Sequence, residues 1–281
     1  MKIAKTIQET KETIKGVKSQ GLSTGFVPTM GALHEGHLGL IRQAKAENDF
    51  VSCSIFVNPI QFDKKADLKN YPRTIENDIN KLNELGCDLV FNPSVEEMYP
   101  EPDNTKYDFG NLEKVMEGKH RPGHFNGVAV VVKKLFNIIE PDKSYFGEKD
   151  FQQLAIIKAL TKKLNLAVEI VPCPTIRELD GLAMSSRNSR LTRDEREIAP
   201  MIYQTLKNVN KTASEKSVNE LKKNFNENIA KYPKMKIEYF EISNIDDLSS
   251  VKEFKKGKKY VACTAVFLGN VRLIDNIIIY L

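Results

Sequence analysis

The chain holds four histidines, and they fall in two close pairs, His34/His37 and His120/His124. The first pair closes the stretch P-T-M-G-A-L-H-E-G-H, from Pro28 to His37. A short β-like run, Gly25 to Val27, precedes it, and a helical pattern from Glu35 to Glu47 follows. That order sets both imidazoles at a helix N-terminus, where unpaired N–H groups and a partial positive charge attract phosphate. Gly31 and Gly36 let a ligand approach the backbone closely. Two imidazoles three residues apart at a helix start face one side, and both can donate to phosphate oxygens. Two other readings stand beside this one. They are a loop with two solvated histidines, and a metal pair, for which a clear third ligand is missing. The strand–loop–helix setting favours phosphate.

The motif lies within an alternation of short apolar runs and helical patterns. Ile3, Ile7, Ile14 and Val17 keep helical spacing up to Gly21, and Pro28 closes the strand that begins at Gly25. Phe50 to Val57 reads as a buried parallel strand and Cys87 to Phe91 as another. Between them Ile75, Ile79, Leu82 and Leu85 form a helical stripe stopped by Gly86. Asn92 to Gly110, rich in proline and acid, reads as surface loop. Helical spacing then runs from Val128 to Ile139, followed by a strand at Lys143 to Phe146 and a helix at Asp150 to Leu164. Ala167 to Val171 reads as a last strand, closed by Pro172 and Pro174. Repeated βαβ units of this length imply an α/β fold with a doubly wound, Rossmann-like parallel sheet. Ligands bind such sheets at the carboxyl ends of the strands.

From about Asp180 the pattern changes. Thr192-Arg193-Asp194-Glu195 is a capping box opening one helix through Ile198, Met201, Ile202, Leu206 and Val209. A second helix runs through Val218, Leu221, Phe225 and Ile229. Strands near Lys236 to Ser243, Lys259 to Leu268 and Val271 to Leu281 follow, the last two joined by the two-residue turn Gly269-Asn270. The expected division is a Rossmann-like domain at 1–178 and a smaller C-terminal α+β domain at 179–281.

Composition narrows the function classes. With 42 Lys plus Arg against 37 Asp plus Glu, the net charge of +5 suits acidic small ligands. It falls short of the concentrated basic patch that nucleic-acid binding requires, and no aromatics interleave the Lys cluster at Lys252 to Lys259. Neither nucleic acid nor membrane is expected as a partner, since no run of about 18 apolar residues exists. Cys53, Cys87, Cys173 and Cys263 form no C-x-x-C pair. They read as inert thiols, mostly in apolar runs, and no metal site is expected of them. That usage, with a Lys- and Glu-rich start lacking an apolar signal core, points to the cytoplasm.

The P-T-M-G-A-L-H-E-G-H-L string resembles the H-x-G-H signature of the nucleotidyltransferase superfamily that includes class I aminoacyl-tRNA synthetases. Within it, the chain is similar to the pantothenate synthetase (pantoate–β-alanine ligase) family. F-V-N-P-I-Q-F at Phe56, N-Y-P-R-T at Asn70 and R-P-G-H-F at Arg121 carry the likeness further. So do Y-F-G-E-K-D-F-Q-Q-L at Tyr145 and D-G-L-A-M-S-S-R-N at Asp180. The resemblance spans about residues 20 to 195, in order and at predicted strand ends. It implies that pantoate carboxylate attacks the α-phosphorus of ATP, and that β-alanine then attacks the pantoyl adenylate to give pantothenate and AMP. It also implies a homodimer, a C-terminal domain acting as a lid, and Mg²⁺ carried on the ATP phosphates.

The same resemblance assigns roles. His34 and His37 supply donors, and His37 is the better proton donor. Lys149, in the Gly147-Glu148-Lys149-Asp150 turn, neutralises charge on the α- and β-phosphates. A cation opening a helix is disfavoured unless an anion faces it. Asp150 contacts the ribose, and Ser185, Ser186 and Arg187 hold the leaving pyrophosphate. Met30, Gly31 and Gly36 approach the nucleotide with Gly147 and Glu148, while Ile176 and Met184 face the adenine. Gln61 and Gln153 take pantoate, since an amide both donates to carboxylate and accepts from hydroxyl without adding charge. Pro28, Met30 and Asn58 line the same pocket. Arg121 and His124 are assigned to the β-alanine carboxylate or to closing over the site. Asp78 is weighed as a water-mediated Mg²⁺ contact but reads better as part of an exposed helix face, and His120 reads as surface. Gly39, Ile60 and Leu179 depart from the usual family pattern without removing an assigned charge or donor.

Overall fold

The computed structural model describes residues 1–63 and 65–281. Six strands form one parallel sheet in the order β1-β4-β3-β2-β5-β6. They are β1 (Lys2–Ala4), β2 (Thr24–Thr29), β3 (Phe50–Ile55), β4 (Leu89–Phe91), β5 (Lys143–Gly147) and β6 (Glu169–Cys173). The inner strands are buried along almost their whole length, Ser52, Ser54 and Ser144 included, because a parallel sheet is covered on both faces. Val27, Val51, Cys53, Val90 and Tyr145 pack there with Leu38, Ile41 and Ala44 of the helix Glu35–Glu47.

Pairing along β2 opens the sheet where a ligand would enter. β2 pairs with β3 from Thr24↔Phe50 to Thr29↔Ile55, but with β5 only at Gly25↔Lys143 and Phe26↔Ser144. The chain runs outward from β2 to β3 on one side and later to β5 on the other, so the topological switch falls between β2 and β5. Pro28 does not end the strand, as the sequence suggested. It extends β2 along β3 past the point where β5 has parted.

Other local expectations are corrected in the same way. Ile3 belongs to the edge strand β1, not to the helix Ile7–Ser19, because Lys2–Ala4 pairs with Leu89–Phe91. Pro172 lies inside β6, opposite Phe146, which an edge strand tolerates. Asn92 to Gly110 contains a helix, Val95–Met98, whose Met98 is buried. The capping box at Thr192 forms, but its helix stops at Ile198 and a new one starts at Met201. Pro200 stands between them, lacking an N–H and crowding the preceding turn.

Two compact units result: residues 1–109, 121–148 and 153–174, and residues 110–120, 149–152 and 175–281. The second contains an antiparallel sheet of β7 (Met235–Asn244), β8 (Lys259–Leu268) and β9 (Val271–Tyr280). Its Gly269 adopts the positive φ of 55° that the two-residue turn requires. The helices Met201–Thr212 and Val218–Ala230 cover the sheet, with Phe225 and Phe240 stacked 3.8 Å apart.

Two short segments group with this second unit although they interrupt the first, which one contiguous division at 178 does not provide for. Arg272 on β9 holds the Glu117 carboxylate at 2.6 and 2.9 Å, and Tyr239 donates to it at 2.9 Å. Gln152 bridges the segments: its amide donates to Leu112 and Val115 carbonyls and accepts from the Glu117 N–H. His120 is half-buried rather than surface, its ring stacked 5.5 Å from Tyr239.

Candidate active site

In the first unit the histidine motif leaves the end of β2 and caps the next helix. His34 is the N-cap residue, and its Nδ1 accepts the Gly36 N–H at 3.1 Å. His37 Nδ1 accepts the His34 N–H at 3.4 Å, which completes a reciprocal cap. Both Nδ1 atoms are acceptors, so the hydrogen-bond network assigns each neutral ring its proton on Nε2. The ring centroids lie 4.1 Å apart and both side chains are half-buried. The motif thus presents two imidazole donors together with a helix N-terminus, a set suited to an anionic oxygen.

The loop before them has two successive residues at positive φ, Gly31 at 80° and Ala32 at 51°. A buried carboxylate holds this bend. Asp78 Oδ2 accepts the Ala32 N–H at 2.9 Å and Oδ1 the Leu33 N–H at 2.8 Å. Lys81 Nζ adds a bond of 2.6 Å to the Leu33 carbonyl. Asp78 is fully buried, which corrects the reading of an exposed helix face. Its spacing from the buried Leu82, four residues on, was the available signal. A Cβ at Gly31 would stand 3.0 Å from Asp78 Oδ2 and 3.1 Å from Ile55 Cγ2, so the glycine is required by space as well as by φ.

Beside the loop, Met30, Asn58 and Gln61 form one connected set. Asn58 Nδ2 donates to Gln61 Oε1 at 3.0 Å and to the Gly127 carbonyl at 3.2 Å, while its Oδ1 accepts from Tyr99 at 2.9 Å. Burial pushes the Tyr99 phenol upward, so it stays a donor. Gln61 Nε2 lies 3.0 Å from Met30 Sδ. A thioether is a weak acceptor, so this amide is matched to a better one such as carboxylate or hydroxyl oxygen.

The second histidine pair divides by role. His124 is buried, and its Nδ1 donates to the Gln61 carbonyl at 2.8 Å. That bond leaves Nε2 as the acceptor for Arg121 Nη1 at 3.1 Å, and Asp63 takes Arg121 Nε at 3.4 Å. His124 therefore orients both Gln61 and Arg121 through its two nitrogens. Close packing makes this possible, since a Cβ at Gly127 would meet the Ile60 carbonyl oxygen at 2.4 Å. Gln153, on the helix Phe151–Lys163, is half-buried and is not brought into this set among the described residues. A cavity of ≈ 320 Å³ opens against Met30 and Gly31, lined also by Arg73, Thr74, Asn92 and Ser94.

Gly147 ends β5 and Glu148 follows it in the first unit, whereas Lys149 and Asp150 belong to the second. There Lys149 Nζ lies 3.7 Å from Asp150 Oδ1, and the Lys149 carbonyl accepts Asn276 Nδ2 at 2.9 Å. Ile176 and Met184 face each other across a tight hairpin, the Met184 N–H donating to the Ile176 carbonyl at 3.1 Å. Ser185 caps the turn Ser186–Arg190 by accepting the Arg187 N–H at 3.2 Å. Asn276 was not picked out from the sequence, and nothing in local spacing marks it.

The whole chain has relatives of known kind. A protein-family model described as pantoate–β-alanine ligase matches residues 2–278. A pantothenate synthetase of Porphyromonas gingivalis is 49% identical over 277 residues, covering 99% of each chain. One from Caldicellulosiruptor saccharolyticus is 50% identical over 282 residues, again covering 99% of each. The crystal structure of pantothenate synthetase from Thermus thermophilus matches with a TM-score of 0.92 at 40% identity, covering 100% of both chains. That of pantoate–β-alanine ligase from Francisella tularensis, complexed with β-γ ATP and β-alanine, gives 0.82 at 38% identity, covering 99% and 97%.

Proposed function

The chain belongs to the pantoate–β-alanine ligase family, and from that membership we propose that it makes pantothenate through a pantoyl adenylate. It is a ligase of that kind, with the six-stranded parallel sheet and small antiparallel domain of pantothenate synthetase structures. In the first step a pantoate carboxylate oxygen bonds to the α-phosphorus of ATP and the bond to the β-phosphate bridge breaks, releasing pyrophosphate. In the second the β-alanine amine attacks the acyl carbon, the acyl–oxygen bond to AMP breaks, and the nitrogen loses a proton.

One observation carries this reading: the reciprocal cap of His34 and His37, which gives both imidazoles an Nε2–H at a helix N-terminus beside the β2–β5 switch. Such donors stabilise charge as it develops on transferring phosphoryl oxygens, and no protein nucleophile is needed. His37 is the proton donor of the pair. Pantoate lies against Met30, Asn58, Gln61 and Gln153, with Gln61 Nε2 exchanging the Met30 sulfur for a substrate oxygen. Arg121 receives the β-alanine carboxylate, and His124 positions Arg121 instead of touching substrate. Lys149 offsets phosphate charge, Asp150 takes the ribose, Ile176 and Met184 the adenine, and Ser185, Ser186 and Arg187 the pyrophosphate.

Mg²⁺ enters as part of the ATP substrate. Both Asp78 oxygens are bonded to loop N–H groups, so this carboxylate does not suit a metal. No described His, Cys, Asp or Glu residues cluster to hold one. No helix of the described chain is long and apolar enough to cross a membrane. A cytoplasmic location fits the four buried free thiols, which suit a reducing compartment, and a homodimer follows from the family resemblance alone. Sedimentation as a 31.9 kDa particle would count against the dimer.

The test is to follow phosphorus species with Mg·ATP and pantoate, then add β-alanine. Pyrophosphate release followed by equal AMP and pantothenate is expected. Pyrophosphate release without amide formation would make the protein a different adenylyltransferase, and ADP as product would exclude an adenylate.

A further inference from the structure

Within the second unit, two segments assigned above to the nucleotide are held by consecutive residues of one strand. Asn276 on β9 is 8% exposed, and its side-chain amide donates to the Lys149 carbonyl at 2.9 Å. Asp275, 6% exposed, binds Arg177 through both oxygens at 2.7 and 2.9 Å. Arg177 in turn donates to the Gly181 carbonyl at 3.1 Å and lies 3.5 Å over the Tyr203 ring. It therefore fixes the hairpin that carries Ile176 and Met184. The Asn276 N–H also donates to Asp275 Oδ1 at 2.8 Å, so the two anchors are bonded to each other.

The geometry points to Asn276 as a positioning residue for Lys149, with Asp275 and Arg177 holding the adenine hairpin on the same strand. This role of Asn276 rests on the phosphate-neutralising role proposed for Lys149. Lys149 sits in a single 3₁₀ turn, Glu148–Asp150, with little cooperativity of its own to fix the backbone. A point charge on four flexible carbons is useful at a reacting phosphate only if its backbone origin is fixed. The Asn276 amide supplies that fixation from a ten-residue strand paired along its full length with β8. A bidentate, largely buried Arg–carboxylate pair next to it makes the anchor rigid. Asn276 does not touch substrate in this account; it acts through Lys149.

A double-mutant cycle measured by pantoate-dependent ATP–pyrophosphate exchange tests this. Asn276→Ala is expected to lower the exchange rate ~10-fold at saturating substrates, with KM for pantoate unchanged, because misplacement of a catalytic group costs rate. Asn276→Asp, which keeps the shape and loses the donor, is expected to do the same if the alanine variant folds poorly. In a Lys149→Ala background, Asn276→Ala is expected to add less than ~2-fold, the coupling of groups that act together. An unchanged rate in both Asn276 variants, or losses that simply multiply in the double variant, would overturn the anchor. A normal rate for Lys149→Ala alone would overturn the assignment of Lys149 itself, and the anchor with it.

Discussion

The Leu33 N–H donates to Oδ1 of the buried Asp78 at 2.8 Å, and this bond bends the chain one residue before His34, the first histidine of the motif. The Ala32 N–H takes the other oxygen at 2.9 Å. A positive φ at Ala32 is unfavourable for a residue with a Cβ, and the carboxylate compensates for it.

Asp78→Ala should therefore reduce both stability and activity. Hydrogen bonds to a charged acceptor contribute about 1.5–3 kcal/mol each, and two N–H groups would lose theirs. A loss of ~3 kcal/mol is expected from urea denaturation. A midpoint close to that of the unmodified protein would show that the loop bends without the carboxylate.

Gly127→Ala tests how closely the helix His124–Ile139 must approach the turn Pro59–Gln61. The new Cβ would lie 2.6 Å from Gln61 Cα, which is backbone and cannot swing aside. Overpacking of this kind costs about 1–3 kcal/mol. Because Gln61 shifts with it, KM for pantoate should rise while the exchange rate at saturation changes less. An unaltered KM would separate this turn from the acid site.

His37→Ala separates chemistry from capping. Its Nδ1 bond to the His34 N–H is long at 3.4 Å, so losing it should cost less than ~1 kcal/mol of stability. Loss of a donor to the reacting phosphate should lower kcat by at least ~10², or about 2.7 kcal/mol. Thermal midpoints and adenylation rates of the same preparation give both numbers. Equal loss of stability and rate would reduce His37 to a cap.

The four buried thiols should be silent in the folded protein. Burial pushes Cys87 and Cys173 up to about 12 from an ordinary value of 9.0, and it also raises Cys53 and Cys263. Between pH 9 and 12 the unfolded chain therefore releases protons that the folded chain keeps. It binds fewer protons in that window, so stability falls as pH rises through it and is fully present below it. A thiol reagent at pH 8 should label none of the four natively and all of them in denaturant. Rapid native labelling would show an accessible cysteine.

What the sequence determined by itself was local. The His34/His37 spacing, the Thr192–Glu195 cap and the Gly269-Asn270 turn each depend on atoms a few residues apart, and each formed. The alternation of apolar runs and helical stripes sufficed for a parallel sheet and its order of segments, because strands buried on two faces read as short apolar runs and helices buried on one face as stripes of helical period. Tertiary structure decided which polar groups met across long separations. Asp78 lies 45 residues from Leu33, and Asn276 lies 127 from Lys149. Neither pairing leaves a period in the chain. The same holds for β1, too short at three residues to show alternation and defined only by its partner β4. Gln152 and Gln153 are neighbours in one helix, yet Gln152 is the one bonded to the segment 110–120. A buried donor needs a specific acceptor, and only the folded chain settles which one arrives.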